Sequence, residues 1–341
     1  MICRLWHMNA DFETELAAPR GKYWRSSFFE RLNRRLAPRL LWLAHPGDAL
    51  LVESQASPKF SSEAARRGVE VVTVERATNQ SHRVFTPWGW TVSAVALGEQ
   101  VGAINEPLSL ELVARVNSKL WSHQLEHELG VSLPGAVVAS TLTELNAAAA
   151  RACPKPDDKW VIKSPFGFAA RERVLGRGPI VAGPQATWAQ RRFAMRETLI
   201  FQPWLDVIRE YGVVMDVHAN GKVKIHGISD LQTNGAGTGT GYLLGRGVAP
   251  HRRIELERMA RIVGARLRDE GYVGPAGVDA LEHRGGLHPL LEVNARYTMG
   301  FVALAVERAL RPATPILWDT KDEPLTCEKR DAGNTVSSNR N

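Results

Sequence analysis

Residues 277–300 read GVDALEHRGGLHPLLEVNARYTMG, two alternating segments that meet at Gly285 and Gly286. A glycine pair in that position favours a two-residue hairpin turn. Centring the hairpin on the pair puts Asp279 directly across from Glu292, and cross-strand partners share a face, so both carboxylates project from one side of the ribbon. Asn294 lies two residues further along that side, opposite Gly277, whose missing side chain leaves room for an ion or a phosphate. Facing carboxylates repel, whereas Mg²⁺ takes a few oxygen ligands and completes its octahedron with phosphates and waters. The spacing D-x12-E-x-N therefore reads as a metal-phosphate site. Standing alone, it describes an ordinary solvent-facing acidic pair better, so the flanking sequence has to decide.

Working outward, Leu256, Met259, Val263 and Leu267 recur every three or four residues, which predicts an amphipathic helix over 251–270. It should cover a sheet built from strands near 199–205, 212–217 and 223–228, read as antiparallel. Further upstream, Thr141 and Glu144 have capping-box spacing ahead of an alanine-rich helix, Trp160–Lys163 reads as a strand, and Ser164–Arg171 as a loop. Trp121, Leu125 and Leu129 form a helical stripe that Gly130 ends. Between Asp48 and Glu75, DALLVE and VEVVTVE flank the helix-compatible stretch 61–68, the order of a β-α-β unit. The fold class expected is α/β followed by α+β. The predicted units are an N-terminal α/β domain (1–107), a small lobe (108–200), a large lobe carrying the acidic hairpin (201–319) and a polar, aperiodic tail (320–341) that should be mobile.

The chain of 341 residues, 44% hydrophobic and 23% charged, is apolar enough to bury sizeable cores, which excludes a disordered protein. A net charge of +7 favours anionic ligands without naming one. Cys3, Cys153 and Cys327 are too few and too scattered for a disulfide framework or a paired-cysteine zinc site, which suits a reducing cytoplasm. Asp11, Glu13 and Glu15 interrupt any export-type apolar run near the start, and no apolar stretch reaches membrane-spanning length.

With the hairpin and its surroundings in view, the chain resembles the ATP-grasp superfamily, whose enzymes end their nucleotide domain with an acidic strand, a hairpin and an E-x-N strand holding magnesium against ATP. Asp279, Glu292 and Asn294 match that pattern as metal ligands. The resemblance runs back, in family order, through Lys119 (VNSKLWSHQLEHELGVSLP), Lys163 (WVIKSPFGFAAR), FQPWL at 201–205 and Glu210 (REYGVVMDV), and covers about residues 116–300. The N-terminal third is only loosely similar to the α/β domain that usually precedes this fold. The resemblance implies that Lys119 and Lys163 meet ATP as positive charges, that the Pro203 carbonyl and the Leu205 N–H read the adenine edge, that Gln202 offers its amide oxygen to the adenine amino group, and that Glu210 takes the ribose hydroxyls. The loop over 164–171 corresponds to the phosphate lid, with Gly167 its sole glycine where relatives carry several. Closure then uses Phe166 and Phe168, and Arg171 and Arg173 can reach phosphates or a substrate carboxylate. Arg296 matches an arginine that several such ligases aim at the transferred phosphoryl group. Taken one at a time, each lysine also reads as a solvent lysine, FQPWL as a buried strand end, and Arg296 as a partner in a structural ion pair.

Three features compete. His123, Glu126 and His127 spell H-x-x-E-H, a zinc order, but Lys119 shares the stripe and no third ligand is identifiable, so a solvent-facing histidine pair is the better expectation. GAGTGTG at 235–241 lacks the Walker lysine and reads as a flexible connection near the substrate. Residues 20–39 hold seven basic residues, one acid and Tyr23, Trp24, Phe28 and Phe29, a composition that fits single-stranded nucleic acid, or an amphipathic helix with its aromatics inward. The resemblance favours an ATP-dependent ligase that activates a carboxylate as an acyl phosphate and joins it to an amine, using ATP and two Mg²⁺ ions or Mn²⁺. The alternatives are a small-molecule kinase of the same fold and a nonenzymatic nucleic-acid binder. The partners expected are a small-molecule or peptide carboxylate and an amine acceptor, with no membrane and no nucleic acid, and a homodimer left open.

Overall fold

The computed structural model describes residues 2–167 and 172–319. DALLVE contributes a strand whose four residues, Ala49–Val52, are all buried, as a parallel strand covered on both faces requires. It is β2 of a parallel sheet in the order β3-β2-β1-β4, with β1 at Cys3–His7, β3 at Glu70–Thr73 and β4 at Arg83–Pro87. After α1 (Phe12–Ala17), helices α2 (Ser27–Leu36) and α3 (Pro58–Arg66) pack with Trp6 and Leu50, while α4 (Val92–Gln100) packs with Leu5 and Leu51 on the other face. The helix of the β-α-β unit begins earlier than expected, because Ser57 caps it through Phe60 N (3.2 Å) and Pro58 takes a first-turn position that needs no N–H.

Helices α5 (Leu110–Val116) and α6 (Lys119–Glu128) follow, and Gly130 (φ +68°) lets the chain leave α6 in a left-handed conformation. A second, antiparallel sheet in the order β5-β8-β6-β7 contains β5 (Val137–Ala139), β6 (Lys159–Lys163), β7 (Arg173–Arg177) and β8 (Leu199–Pro203). Helix α7 (Leu142–Ala152), which carries the expected Thr141/Glu144 capping box, and α8 (Gly183–Ala194) close its core over Trp160, Ile162 and Phe201. A Cβ on Gly176 would lie 2.1 Å from Trp160 Cη2, so the indole lies flat over that glycine. Gly176→Ala is expected to lower unfolding stability by about 3 kcal/mol through overpacking, read as a shift in urea midpoint with the slope unchanged.

The third sheet is antiparallel in the order β13-β12-β9-β10-β11-β14. It comprises β9 (Val207–Val217), β10 (Val223–Thr233), β11 (Gly239–Leu244), β12 (Gly274–His283), β13 (Gly286–Asn294) and β14 (Ile316–Asp319). Helix α9 (Pro250–Asp269) buries the expected stripe of Leu256, Met259, Val263 and Leu267 against Tyr211, Val213 and Val278. Helix α10 (Met299–Leu310) packs on the opposite face at Val214, and its Val302 and Val306 share one core with Trp6, Leu50, Tyr242 and Trp318, which joins the parallel sheet to the β11–β14 edge. No helix among the described residues is long and apolar enough to cross a membrane.

One sequence expectation changes, and one choice left open between two readings is decided. GAGTGTG is not a loose connection: Asn234 caps a tight β10–β11 turn through the N–H groups of Ala236 and Thr238, and Gly239–Gly241 belong to β11. Of residues 20–39, Phe29, Leu32 and Leu36 turn inward on α2, Tyr23 donates to Asp11 and Arg25 is paired with Asp11, leaving Trp24 and Phe28 exposed. That is the amphipathic-helix outcome rather than a stacking platform. Residues 168–171 and the tail 320–341, and with them Phe168, Arg171 and Cys327, lie outside the described residues.

Candidate functional site

The acidic pair stands in register. Asp279 pairs with Glu292 across β12–β13 and with Gly212 on β9, and Gly277 faces Asn294. Because cross-strand partners share a face, Glu292, Asp279, Gly212 and Ser229 form one row, with Leu281, Glu210 and Leu231 in the next. Val278, Val213 and Tyr211 point the other way, into the core under α9. Gly212 keeps the row open: a Cβ there would meet Ser229 Oγ at 2.9 Å.

The hairpin reaches this register by a different route from the one expected. Its turn is Arg284–Gly285, since His283 pairs with Gly286, and this alone would misplace Glu292. A bulge between Asp279 and Leu281, where Pro289, Leu290 and Leu291 lie across from Ala280, restores the pairing. Proline suits that place because it has no N–H for a ladder to require.

The corner between α5 and α6 is stitched to the sheet. Ala295 N donates to Asn117 Oδ1 (2.8 Å), and Val293 N donates to Ser122 Oγ (3.0 Å). That fixes Lys119, the first residue of α6, beside Glu292, to which its Nζ donates at 2.6 Å, and beside the Gly167 carbonyl at 3.3 Å. Burial and the neighbouring Glu292 charge push the Asp279 carboxyl up to about 7, against the pull of Arg296. Glu292 is also partly desolvated, but its ion pair with Lys119, helped by Lys163 and Arg296, brings it below the usual carboxylate range. Asn294 donates Nδ2 to Asp279 (3.0 Å) and accepts from Arg296 Nη2 at its Oδ1 (2.9 Å), so its oxygen faces Arg296 rather than the carboxylates.

On the small sheet, Val161 pairs with Gln202 and Lys163 with Ile200, so Lys163 and Gln202 share the face opposite Trp160, Ile162 and Phe201. Burial lowers Lys163 to about 8, with Glu292 opposing, and its Nζ donates to Gln202 Oε1 at 2.6 Å. Gln202 Oε1 thus already accepts one hydrogen bond, which leaves its second lone pair open. Pro203 ends β8, and Trp204 N is held by Lys159 O (2.8 Å), so Leu205 leads the chain out towards β9. Glu210 accepts from Thr233 Oγ1 (2.7 Å) and is raised by burial. Arg173 stacks on Trp204 (5.6 Å) and donates to Ala236 O, bridging β7 to the β10–β11 turn.

Arg296 lies over Phe12 (5.6 Å) and ion-pairs with Glu13. Glu13 had no functional reading in sequence, where it figured only as a charge interrupting an apolar run. Asp11, Glu13 and Glu15 are in fact nearly inaccessible (0, 5 and 7% exposed), and Asp11 holds Tyr23, Arg25 and Asn33.

The H-x-x-E-H stretch is not a solvent-facing pair. His127 is exposed, but His123 is largely covered and Glu126 is buried, with His288 Nε2 on its other side at 3.8 Å. Burial raises Glu126 to about 8 and lowers His288 to about 4. Among the described residues no group of three His, Cys, Asp or Glu side chains is placed to hold a metal, so the hairpin site rests on two carboxylates and an amide. A groove of about 670 Å³ lined by Val174, Trp188 and Arg191 carries none of the site residues.

The sequence matches no family model and no curated protein. Solved structures do share its architecture. N5-carboxyaminoimidazole ribonucleotide synthetase from Thermus thermophilus superposes with a TM-score of 0.50 at 17% identity, covering 78% of this chain and 71% of that one. A biotin carboxylase from Campylobacter jejuni, in complex with an ATP analogue, gives 0.53 at 13% identity over 81% and 65% of the two chains. The biotin carboxylase domain of the 2-oxoglutarate carboxylase of Hydrogenobacter thermophilus, complexed with MgADP and bicarbonate, gives 0.52 at 12% identity over 81% and 66%. The chain has the ATP-grasp fold.

Proposed function

We propose that this ATP-grasp fold serves an ATP-dependent ligase, which phosphorylates a substrate carboxylate and joins the acyl phosphate to an amine, releasing ADP and phosphate. The observation that supports it best is the row Glu292–Asp279–Gly212, two partly buried carboxylates in register beside an open glycine and bracketed by Lys119, Lys163 and Arg296. The donor set fits a hard divalent cation, Mg²⁺ or Mn²⁺: Asp279 and Glu292 supply oxygens, and Asp279 is raised to about 7 by burial and then by the like charge of Glu292, which a cation would relieve. Asn294 joins them if its amide turns its oxygen from Arg296 to the ion. When bound, the divalent ion neutralises phosphate charge and polarises the transferred group.

The rest is the work of this chain's residues. Lys119 and Lys163 lower the cost of bringing an anionic carboxylate beside a triphosphate. The Pro203 carbonyl and the Leu205 N–H meet the base, Glu210 the ribose, and Gly167 with Arg171 belongs to the lid over the phosphates. Arg296, aimed from beside Asn294 and steadied by Glu13, stabilises charge on the phosphoryl group and on the acyl phosphate. The substrate carboxylate oxygen attacks the γ-phosphorus and ADP departs. The amine lone pair then attacks the acyl carbon, the C–O bond to phosphate breaks, and the amine loses a proton. No protein nucleophile is needed. The same reading divides the chain into units 1–107, 108–200 and 201–319, followed by the tail 320–341.

The test is ADP release from ATP and Mg²⁺ across a panel of carboxylic acids and amines, with hydroxylamine as a trap. A hydroxamate formed during turnover is the expected result. A stable phosphorylated product with no hydroxamate makes the protein a kinase of this fold instead.

A further inference from the structure

We propose that Asn294 is a two-position amide that couples the divalent-cation site to Arg296, so that the guanidinium is released to grip a phosphate group only once the cation has bound. This rests on the cation reading of the hairpin given above. In the structure the orientation of the amide is set by its two protein partners: its Nδ2 donates to Asp279 Oδ2 at 3.0 Å, and its Oδ1 accepts from Arg296 Nη2 at 2.9 Å. A guanidinium only donates and a carboxylate only accepts, so the reverse orientation would satisfy neither. Asn294 is 7% exposed, which gives water little chance to stand in for either partner.

To ligate a cation shared with Asp279, the amide has to present its oxygen on that side. Its –NH₂ then meets Arg296, donor against donor, with both groups largely out of water. The backbone cannot absorb this conflict, because Ala295 N is held by Asn117 Oδ1 (2.8 Å) and Tyr297 N by Trp88 O (3.0 Å), so the guanidinium has to give way. It is already incompletely paired. Nη2 is shared between Asn294 and Glu13, Nη1 donates to Tyr297 O at 2.9 Å, and the buried Nε has no partner among the described residues. Turning the amide therefore adds an Nη2 donor to the Nε donor, and these two nitrogens border the edge with which an arginine takes two oxygens of a phosphate in parallel. Glu13 still holds Nη2, so the side chain pivots rather than leaves. The coupling is reciprocal: a phosphate group that draws Arg296 away from Asn294 frees the amide oxygen for the cation.

Calorimetric titration of the full chain with Mn²⁺ tests this without a substrate in hand, at pH 8 so that Asp279 is largely ionised. Arg296→Met and Asn294→Ala form a double-mutant cycle. Removing the Arg296 charge alters Mn²⁺ affinity in either background, but only beside Asn294 does it also free the amide. Arg296→Met should therefore tighten Mn²⁺ about fivefold more in the wild-type background than in Asn294→Ala. Inorganic phosphate gives a second reading through Arg296→Lys, which keeps a cation beside Glu13 if the methionine variant fails to fold. That substitution should weaken phosphate about tenfold on the chain saturated with Mg²⁺ and change nothing on the chain stripped of metal by chelation. Additive effects in the cycle, or a loss of phosphate affinity equal with and without Mg²⁺, overturn the proposal while leaving the ligase reading intact. A wild type that binds no Mn²⁺ overturns both.

Discussion

Asp279→Ala is expected to remove Mg²⁺-dependent ATP turnover while the chain stays folded. The carboxylate sits at the centre of the row formed with Glu292 and Gly212, and no other acid of that row is placed to replace it. Loss of one preorganised group at a charge-developing centre costs about 10²–10³-fold in turnover, and loss of a direct metal ligand should reach at least the upper figure. Stability at neutral pH should rise rather than fall. Asp279 is raised to about 7 in the folded chain, so above its ordinary pKa the folded state holds a proton that the unfolded state has released, and stability falls as pH climbs towards 7. Removing the group removes that penalty. Glu292→Ala should abolish turnover too, but it leaves Lys119 without its 2.6 Å partner and is the less clean variant. Full ATP consumption by both variants, with the proper acceptor present, would sink the metal assignment.

How far the chain can be read without coordinates depends on the range of the interactions that decide each feature. The β-α-β unit, the capping box and the α9 stripe are local, and each is present, with only the start of the β-α-β helix shifted, by three residues, from where its pattern predicts. The acidic hairpin is a partial case. Alternation identifies both strands and their common face, but the true turn at Arg284–Gly285 and the bulge across from Ala280 are two offsets that cancel, and only Pro289 hints at the second. Arg296 shows the limit. Its ion-pair partner Glu13 lies 283 residues away, and nothing near either residue announces the other. Gln202 differs again: its identity is legible, but the partner of its amide oxygen, Lys163, lies 39 residues distant on a neighbouring strand. The H-x-x-E-H stretch fails for a related reason, since helical spacing groups His123 with His127, whereas the fold sets Glu126 between His123 and the His288 of β13.

Nucleotide affinity is expected to fall about tenfold per pH unit above pH 8, and Lys163→Met to abolish that dependence while weakening binding about a hundredfold at pH 7. Burial brings Lys163 down from 10.5 to about 8 even with Glu292 opposing, so the side chain is cationic at pH 7 and loses its proton just where the nucleotide phosphates are already fully ionised. A bound polyanion favours the charged form, so binding at pH 8 to 9 should take up a proton, visible in calorimetry as a heat that depends on the buffer's own ionisation enthalpy. The free protein should behave oppositely. Between about 8 and 10.5 the unfolded chain keeps the lysine proton that the folded chain has released, so unfolding free energy should rise with pH over the interval in which nucleotide binding weakens. A general alkaline loosening of the fold would lower both together, which makes the divergence specific to a buried cation whose charge nucleotide binding favours. A dissociation constant that stays flat from pH 7 to 9.5, or one whose pH profile survives in Lys163→Met, would remove Lys163 from the nucleotide site.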